Sequence, residues 1–180
     1  MPLPLGHTAI GLAVYETSAQ ASSTNSRALN FLMITLLANL PDLDVLLGLI
    51  LQSNGAAFHR GPTHSLVFAF AAGWLCSQLW RFKLGIPKWS PIICTTLILS
   101  HVFADMLLTT TPVSLFWPLE LHWSSGHSGW GEVVDMVLFQ SIQDVVIALV
   151  AFVYLTVLRF FRGDILEFRL LFLLNRKRAK

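Results

Sequence analysis

An aspartate set inside an apolar run of membrane length constrains this chain more than any other feature. From Pro91 to Leu108 the sequence reads as a helix for hydrocarbon, yet it contains His101-Val102-Phe103-Ala104-Asp105. Residues four apart on a helix lie one turn above each other, so His101 and Asp105 share a face. An aspartate at membrane depth costs about 2.5–3.5 kcal/mol on insertion scales. The fold must supply compensation, and a bound metal ion is its strongest form.

Composition fixes the class around that run. Of 180 residues, 54% are hydrophobic and 12% charged, where an ordinary soluble domain is about a quarter charged. The expected architecture is all-α, a polytopic membrane bundle of about four transmembrane helices plus a short N-terminal re-entrant or half-spanning helix. Residues 1–161 form the membrane-embedded domain and 162–180 a basic tail. Cys76 and Cys94 lie in apolar runs with no disulfide or zinc-thiolate spacing, and read as small buried side chains. Ser18-Ala19-Gln20-Ala21 resembles a signal cleavage site, but no basic residue precedes the first apolar run, so no cleavage is expected there.

In chain order, Leu3 to Val14 is too short to cross alone, since spanning takes about 20 residues. Glu16 to Asn30 reads as a polar loop. Ala28 to Leu51 is the first span, interrupted by Asn39-Leu40-Pro41-Asp42-Leu43-Asp44. Proline removes a helical hydrogen bond there, which predicts a kink or break. Such a break survives in a membrane only where protein or a wet cavity covers the freed groups. A loop with His59-Arg60-Gly61-Pro62-Thr63-His64 leads to span two, Ser65 to Phe82. Span three is Pro91 to Leu108. Thr109 to Asp135 has no Lys or Arg but holds Trp117, Trp123 and Trp130, suited to the headgroup level. Span four runs from Met136 to Phe161.

Basic residues orient these spans. Arg81, Lys83, Lys88, Arg159, Arg162, Arg169, Arg176, Lys177, Arg178 and Lys180 fall on one side, and Arg60 alone on the other. The positive-inside rule then puts the C-terminal tail in the cytoplasm and residues 59–64 outside. That topology brings Asp42, Asp44, His64, His101 and Asp105 to one depth, with His101 within about 11 Å of its helix end. His7 joins them if the first helix starts outside and descends.

The candidate metal ligands are therefore His7, Asp42, Asp44, His59, His64, His101 and Asp105. Imidazole with carboxylate suits zinc or a similar divalent ion. Seven ligands exceed one four-coordinate site, so two or three ions are expected, bridged by Asp105 or by one of Asp42 and Asp44. On a continuous helix those two would diverge by about 200°; the proline break allows both to turn inward, and otherwise one supports the other's ligand. The competing reading is a buried polar network that only holds the bundle together. His122 and His127, with Glu120, read as a lid or interfacial loop, or as further ligands. Asp144, with Gln140 and Gln143, lines the pocket or pairs within the bundle. The tail from Arg169 to Lys180 reads as an amphipathic helix on anionic inner-leaflet lipid, not as a nucleic-acid binder.

His7, Leu40-Pro41-Asp42-Leu43-Asp44, His59-Arg60-Gly61-Pro62-Thr63-His64-Ser65, His101-Val102-Phe103-Ala104-Asp105 and Phe116-Trp117-Pro118 together resemble the bacterial inner-membrane metal-dependent hydrolase family, LexA-regulated in its best-known member. The order of His, Asp, His and His-x-x-x-Asp is more distantly similar to zinc-dependent phospholipase C, whose pattern continues with further His and His-x-x-x-Glu ligands. Only His122, His127 and Glu132 stand in that region here, without the spacing. The resemblance implies phosphoester hydrolysis by metal-activated water, on a lipid or lipid-linked substrate reaching the outer side. Asp42, Asp44 and Asp105 would carry the catalysis, with Arg60 holding phosphate or else snorkelling to headgroups. Gly61-Pro62 would aim His59 and His64, and Thr63 would cap span two. A transporter or proton relay is the alternative, disfavoured by clustering on one side and by the lack of repeat symmetry. An intramembrane protease lacks its His-Glu-x-x-His.

Overall fold

The computed structural model describes residues 3–18, 27–82, 86–109, 111–119 and 140–162. Its helices follow the apolar segments: α1 (Pro4–Ser18), α2 (Arg27–Ala38), α3 (Leu43–Gln52), α4 (Leu66–Ser77), α5 (Pro91–Leu108) and α6 (Gln140–Phe161). Single 3-10 turns occupy Pro62–His64 and Leu79–Phe82. No strand occurs among the described residues. His122, His127, Glu120, Glu132 and the tail beyond Arg162 lie outside them.

Local chemistry sets the boundaries. Ser90 accepts a hydrogen bond from the Ile93 amide and Pro91 takes the first helical position, so α5 starts where the apolar run does. Pro41 interrupts the predicted first span, and α2 and α3 meet at a 57° bend. The α4 cap differs from expectation. Ser65, not Thr63, accepts from the Phe68 amide at 3.1 Å.

The expected four spans are not all reached. Two helices, Pro91–Leu108 and Ile142–Phe161, are long and apolar enough to cross a membrane, or three if the bent α2–α3 pair counts as one span. The second predicted span is the shortfall: α4 ends at Ser77. There the Ser77 hydroxyl donates to the Trp74 carbonyl at 2.7 Å, and Gln78 donates to Ser77 Oγ at 2.8 Å. Side chains that bond back to the preceding turn compete with continuation of the helix, and the chain tightens into the 3-10 turn.

Burial is arranged around α5. Leu97 and Ile98 of α5 pack with Ile34 and Leu37 of α2, all at 2% exposure or less. Two crossings are close enough to require a missing side chain. A Cβ on Gly73 would stand 2.7 Å from the Thr95 Cα and N, and one on Gly11 2.8 Å from the Ala38 Cβ. Small residues at helix crossings give the close approach that replaces hydrophobic driving force inside lipid. α6 packs along α1, tied at one end by Thr17–Tyr154 at 2.7 Å and Arg159–Glu16 at 3.1 Å. The large outward side chains, such as Ile50, Phe70, Ile92 and Phe152, are exposed, as a lipid-facing surface requires.

These packings gather the starts of α1, α4 and α6 and the ends of α2 and α5 at one end of the bundle. Gly73→Ala forces apart the α4–α5 crossing, with an expected cost of about 1–3 kcal/mol. Thermal unfolding in detergent should show a lowered midpoint; an unchanged one would contradict the crossing.

Candidate metal centre

The centre begins with the hydrogen bond that Pro41 makes available. With the helix broken after Ala38, the Ala38 carbonyl turns to the side chain of His101, which donates from Nδ1 at 2.7 Å. That bond fixes the imidazole's orientation and leaves Nε2 facing the cluster. His101 Nε2 lies 3.3 Å from Asp42 Oδ1 and 3.3 Å from His64 Nε2. His64 Nε2 in turn lies 3.7 Å from Asp42 Oδ1 and 3.6 Å from Asp105 Oδ2. The donor atoms of Asp42, His64, His101 and Asp105 all fall within 4.8 Å of one another.

A second grouping shares His64. Its Nδ1 lies 3.3 Å from Asp44 Oδ2, and His59 Nδ1 lies 3.1 Å from Asp44 Oδ1. Asp42 and Asp44 thus both turn inward, as the break allows, but toward opposite nitrogens of one imidazole. Asp44 is held by the Thr63 hydroxyl at 2.5 Å and by the Arg60 amide at 3.3 Å. Thr63 therefore supports a carboxylate instead of capping a helix. It sits between His59 and His64 in the sequence, and that position was its only signal.

His7 belongs to neither the four-residue nor the three-residue set. It stacks on His101 with ring centroids 3.7 Å apart, and its Nε2 lies 3.3 Å from Asp105 Oδ1. Arg60 adopts a left-handed φ of 65°, which turns its amide to Asp44 while its side chain runs inward. Its Nε lies 3.4 Å from Asp105 Oδ2, and its terminal nitrogen donates to the Thr111 carbonyl at 3.1 Å. It is 7% exposed, which rules out a headgroup snorkel. Asp144 takes no part in the cluster and accepts from backbone amides of α1.

The electrostatics are demanding. His7, His64, His101, Asp44 and Asp105 are each 1% exposed or less. Burial alone would push the His64 imidazole down, but Asp105, Asp42 and Asp44 outweigh it and hold His64 up to about 10. Three carboxylates face one obligatory cation, Arg60, so charge balance calls for protonated imidazole or a divalent ion. Several atoms are buried with no hydrogen-bond partner among the described residues: both His7 nitrogens, Asp42 Oδ1, His59 Nε2, Arg60 Nε and both Asp105 oxygens. A buried polar group left without a partner costs about 1–3 kcal/mol. Orphaned imidazole and carboxylate atoms converging on one another suit a divalent cation, so these residues fit the ion that the sequence implies.

A helical membrane protein with a buried histidine–aspartate cluster able to hold metal at one end of its bundle is the class that this geometry defines. The chain belongs to the YdjM inner membrane protein family, whose model matches residues 1–166. It is also similar to inner membrane protein YbcI of Escherichia coli (strain K12), 41% identical over 88 residues that cover 46% of this chain and 50% of that protein. The chain thus spans half the length of that curated relative. No solved structure matches. The inner-membrane resemblance fits this family, whereas the more distant likeness to zinc-dependent phospholipase C finds no support in either match.

Exposure separates the histidines: the His59 side chain is 15% exposed and those of His7, His64 and His101 are 0%. Among these four, diethyl pyrocarbonate should modify His59 first in the detergent-solubilised protein, with the other three slow to react. Peptide mass spectrometry checks the order, and early modification of His101 would contradict the burial.

Proposed function

We propose that this chain is an integral-membrane, metal-dependent hydrolase that cleaves a phosphoester of a lipid or lipid-linked substrate. The observation carrying this reading is the convergence of orphaned histidine and carboxylate atoms within the bundle. Asp42, His64, His101 and Asp105 would hold one ion, with His7 orienting the Asp105 carboxylate and the His101 ring, and Asp44 and His59 a second that shares His64. The nitrogen–oxygen donor set, without thiolate, favours zinc. A divalent ion in such a site supplies Lewis acidity and water that ionises nearer neutral pH.

The chain's own residues do the rest. The Ala38 carbonyl holds His101 in the tautomer that presents Nε2. His64, whose protonated form the three carboxylates favour, would give up that proton to serve as a ligand. Beside the cluster opens a cavity of about 410 Å³ lined by Phe58, His59, Arg60, Pro62, Pro112 and Ser114. A phosphoryl group entering there meets the Arg60 guanidinium, already aimed at Asp105, which orients it and offsets its charge. The apolar surroundings suit a substrate arriving sideways from the bilayer. The end opposite the cluster carries Arg81, Lys88, Arg159 and Arg162. This supports an inner-membrane topology with the C-terminus cytoplasmic, the basic tail on anionic lipid and the site facing outward. A proton relay is less well supported, because the buried histidines and carboxylates among the described residues gather at one end instead of following the membrane depth.

Metal analysis of the purified chain should find zinc or a similar ion in wild type, and a large loss in a His101→Ala, Asp105→Ala double variant. Equal content in both would sink the metal centre. In mixed micelles containing lipid phosphomonoesters and phosphodiesters, Arg60→Ala should lower turnover by about two orders of magnitude, as loss of one transition-state contact does. Undiminished turnover would remove Arg60 from the mechanism.

A further inference from the structure

Asp144 is the one buried carboxylate among the described residues that faces no histidine. It lies at 3% exposure near the start of α6, and its Oδ1 accepts from the amides of Leu3 and Gly6, both at 2.8 Å. The first amides of any helix lack intrahelical acceptors, and inside a membrane no bulk water replaces them. A helix usually solves this with its own Ser, Thr, Asp or Asn at the cap. Leu3 stands at that position in α1, and the acceptor comes from a helix 138 residues further along the chain.

The borrowed cap matters because Gly6 immediately precedes His7. The neighbour on the other side of His7 is also tethered: the Thr8 hydroxyl donates to the Pro4 carbonyl at 2.7 Å and accepts from Asn39 Nδ2 at 3.1 Å. Asn39 adjoins Ala38, whose carbonyl holds His101. His7 is thus flanked by one bond to α6 and one to the α2–α3 break. A slip of one residue in the first turn of α1 would rotate His7 by about 100°, off the face of His101 and away from Asp105.

We propose that Asp144 is a positioning residue for the metal centre: by holding the Leu3 and Gly6 amides it fixes His7 against Asp105 and His101. This rests on the metal-binding reading above. The far end of α1 is tied to α6 independently by Thr17–Tyr154, Glu16–Arg159 and the Arg162 bond to the Glu16 carbonyl. Losing Asp144 therefore frees the first turn without undocking the helix. A plain cap would affect stability alone, whereas a positioning residue changes metal affinity, and only through His7.

The test is zinc affinity by chelator competition on the full chain in detergent, for wild type, His7→Ala, Asp144→Ala, Asp144→Asn and the His7→Ala, Asp144→Ala double variant. Asp144→Ala should weaken zinc binding by about 10–100-fold, the range for residues that orient a ligand. Asp144→Asn, whose Oδ1 can accept the same two amides, should restore binding close to wild type. In the His7→Ala background, removal of Asp144 should cause no further loss, the non-additivity expected of groups acting as one. Unchanged affinity in Asp144→Ala, or losses that add in full, would overturn the proposal while leaving the metal centre standing. Absence of zinc from wild type would overturn the metal reading itself and this inference with it. If the alanine variant does not fold, Asp144→Ser takes its place: it keeps a polar atom but is too short to reach both amides.

Discussion

The bond from His101 Nδ1 to the Ala38 carbonyl satisfies two groups that a membrane interior would otherwise penalise. Pro41 breaks the helical ladder and strands backbone acceptors where no bulk water reaches them. His101, on a neighbouring helix, needs a partner for one nitrogen before the other can serve as a ligand. One contact of 2.7 Å answers both needs. Without the break there is no free carbonyl, and Asp42 and Asp44 diverge. Without the histidine, the break is an uncompensated gap in the first span. The site and the irregularity in the backbone are thus the same structural fact.

Close helix crossings bring the remaining walls into range. Gly73 against Thr95 seats α4 on α5, and Gly11 against Ala38 seats α1 on the broken span. The first crossing delivers the chain leading from His64, and the second delivers His7. Neither position carries functional chemistry, yet a single methyl group at either would force its crossing apart beside the cluster. The polar tethers then finish what packing begins: Thr63 and the Arg60 amide hold Asp44, Asn39 holds Thr8, and Asp144 holds the first turn of α1.

Much of this was legible from residues alone. The bounds of α5 match the apolar run because Ser90-Pro91 is a local start signal, and the break at Pro41 follows from proline's missing N–H. The meeting of His64, His101, Asp42 and Asp105 followed from counting basic residues and placing each ligand along its span. The misses have a common cause. α4 stops early because Ser77 and Gln78 bond back to Trp74, a competition that hydropathy does not register. Thr63 and Ser65 exchange roles because either hydroxyl suits a cap, and only the fold shows which one faces Asp44. Asp144 does pair within the bundle, one of its two readings, but its partners, the Leu3 and Gly6 amides, were not legible. Periodicity reports which face is apolar; it carries nothing about main-chain donors more than a hundred residues away.

The early end of α4 also bears on where the centre sits in the bilayer. Twelve residues rise about 18 Å, and the 3-10 turn at Leu79–Phe82 adds about 8 Å. The sum falls short of the roughly 30 Å hydrocarbon thickness. Hydrophobic mismatch of this kind is relieved by local thinning of the bilayer or by drawing the end of the helix below the headgroups. The start of that short helix leads directly from His64. Mismatch at the twelve-residue α4 would thus draw the lipid surface toward the centre, and on the proposed function a headgroup would reach Arg60 without being lifted out of its leaflet.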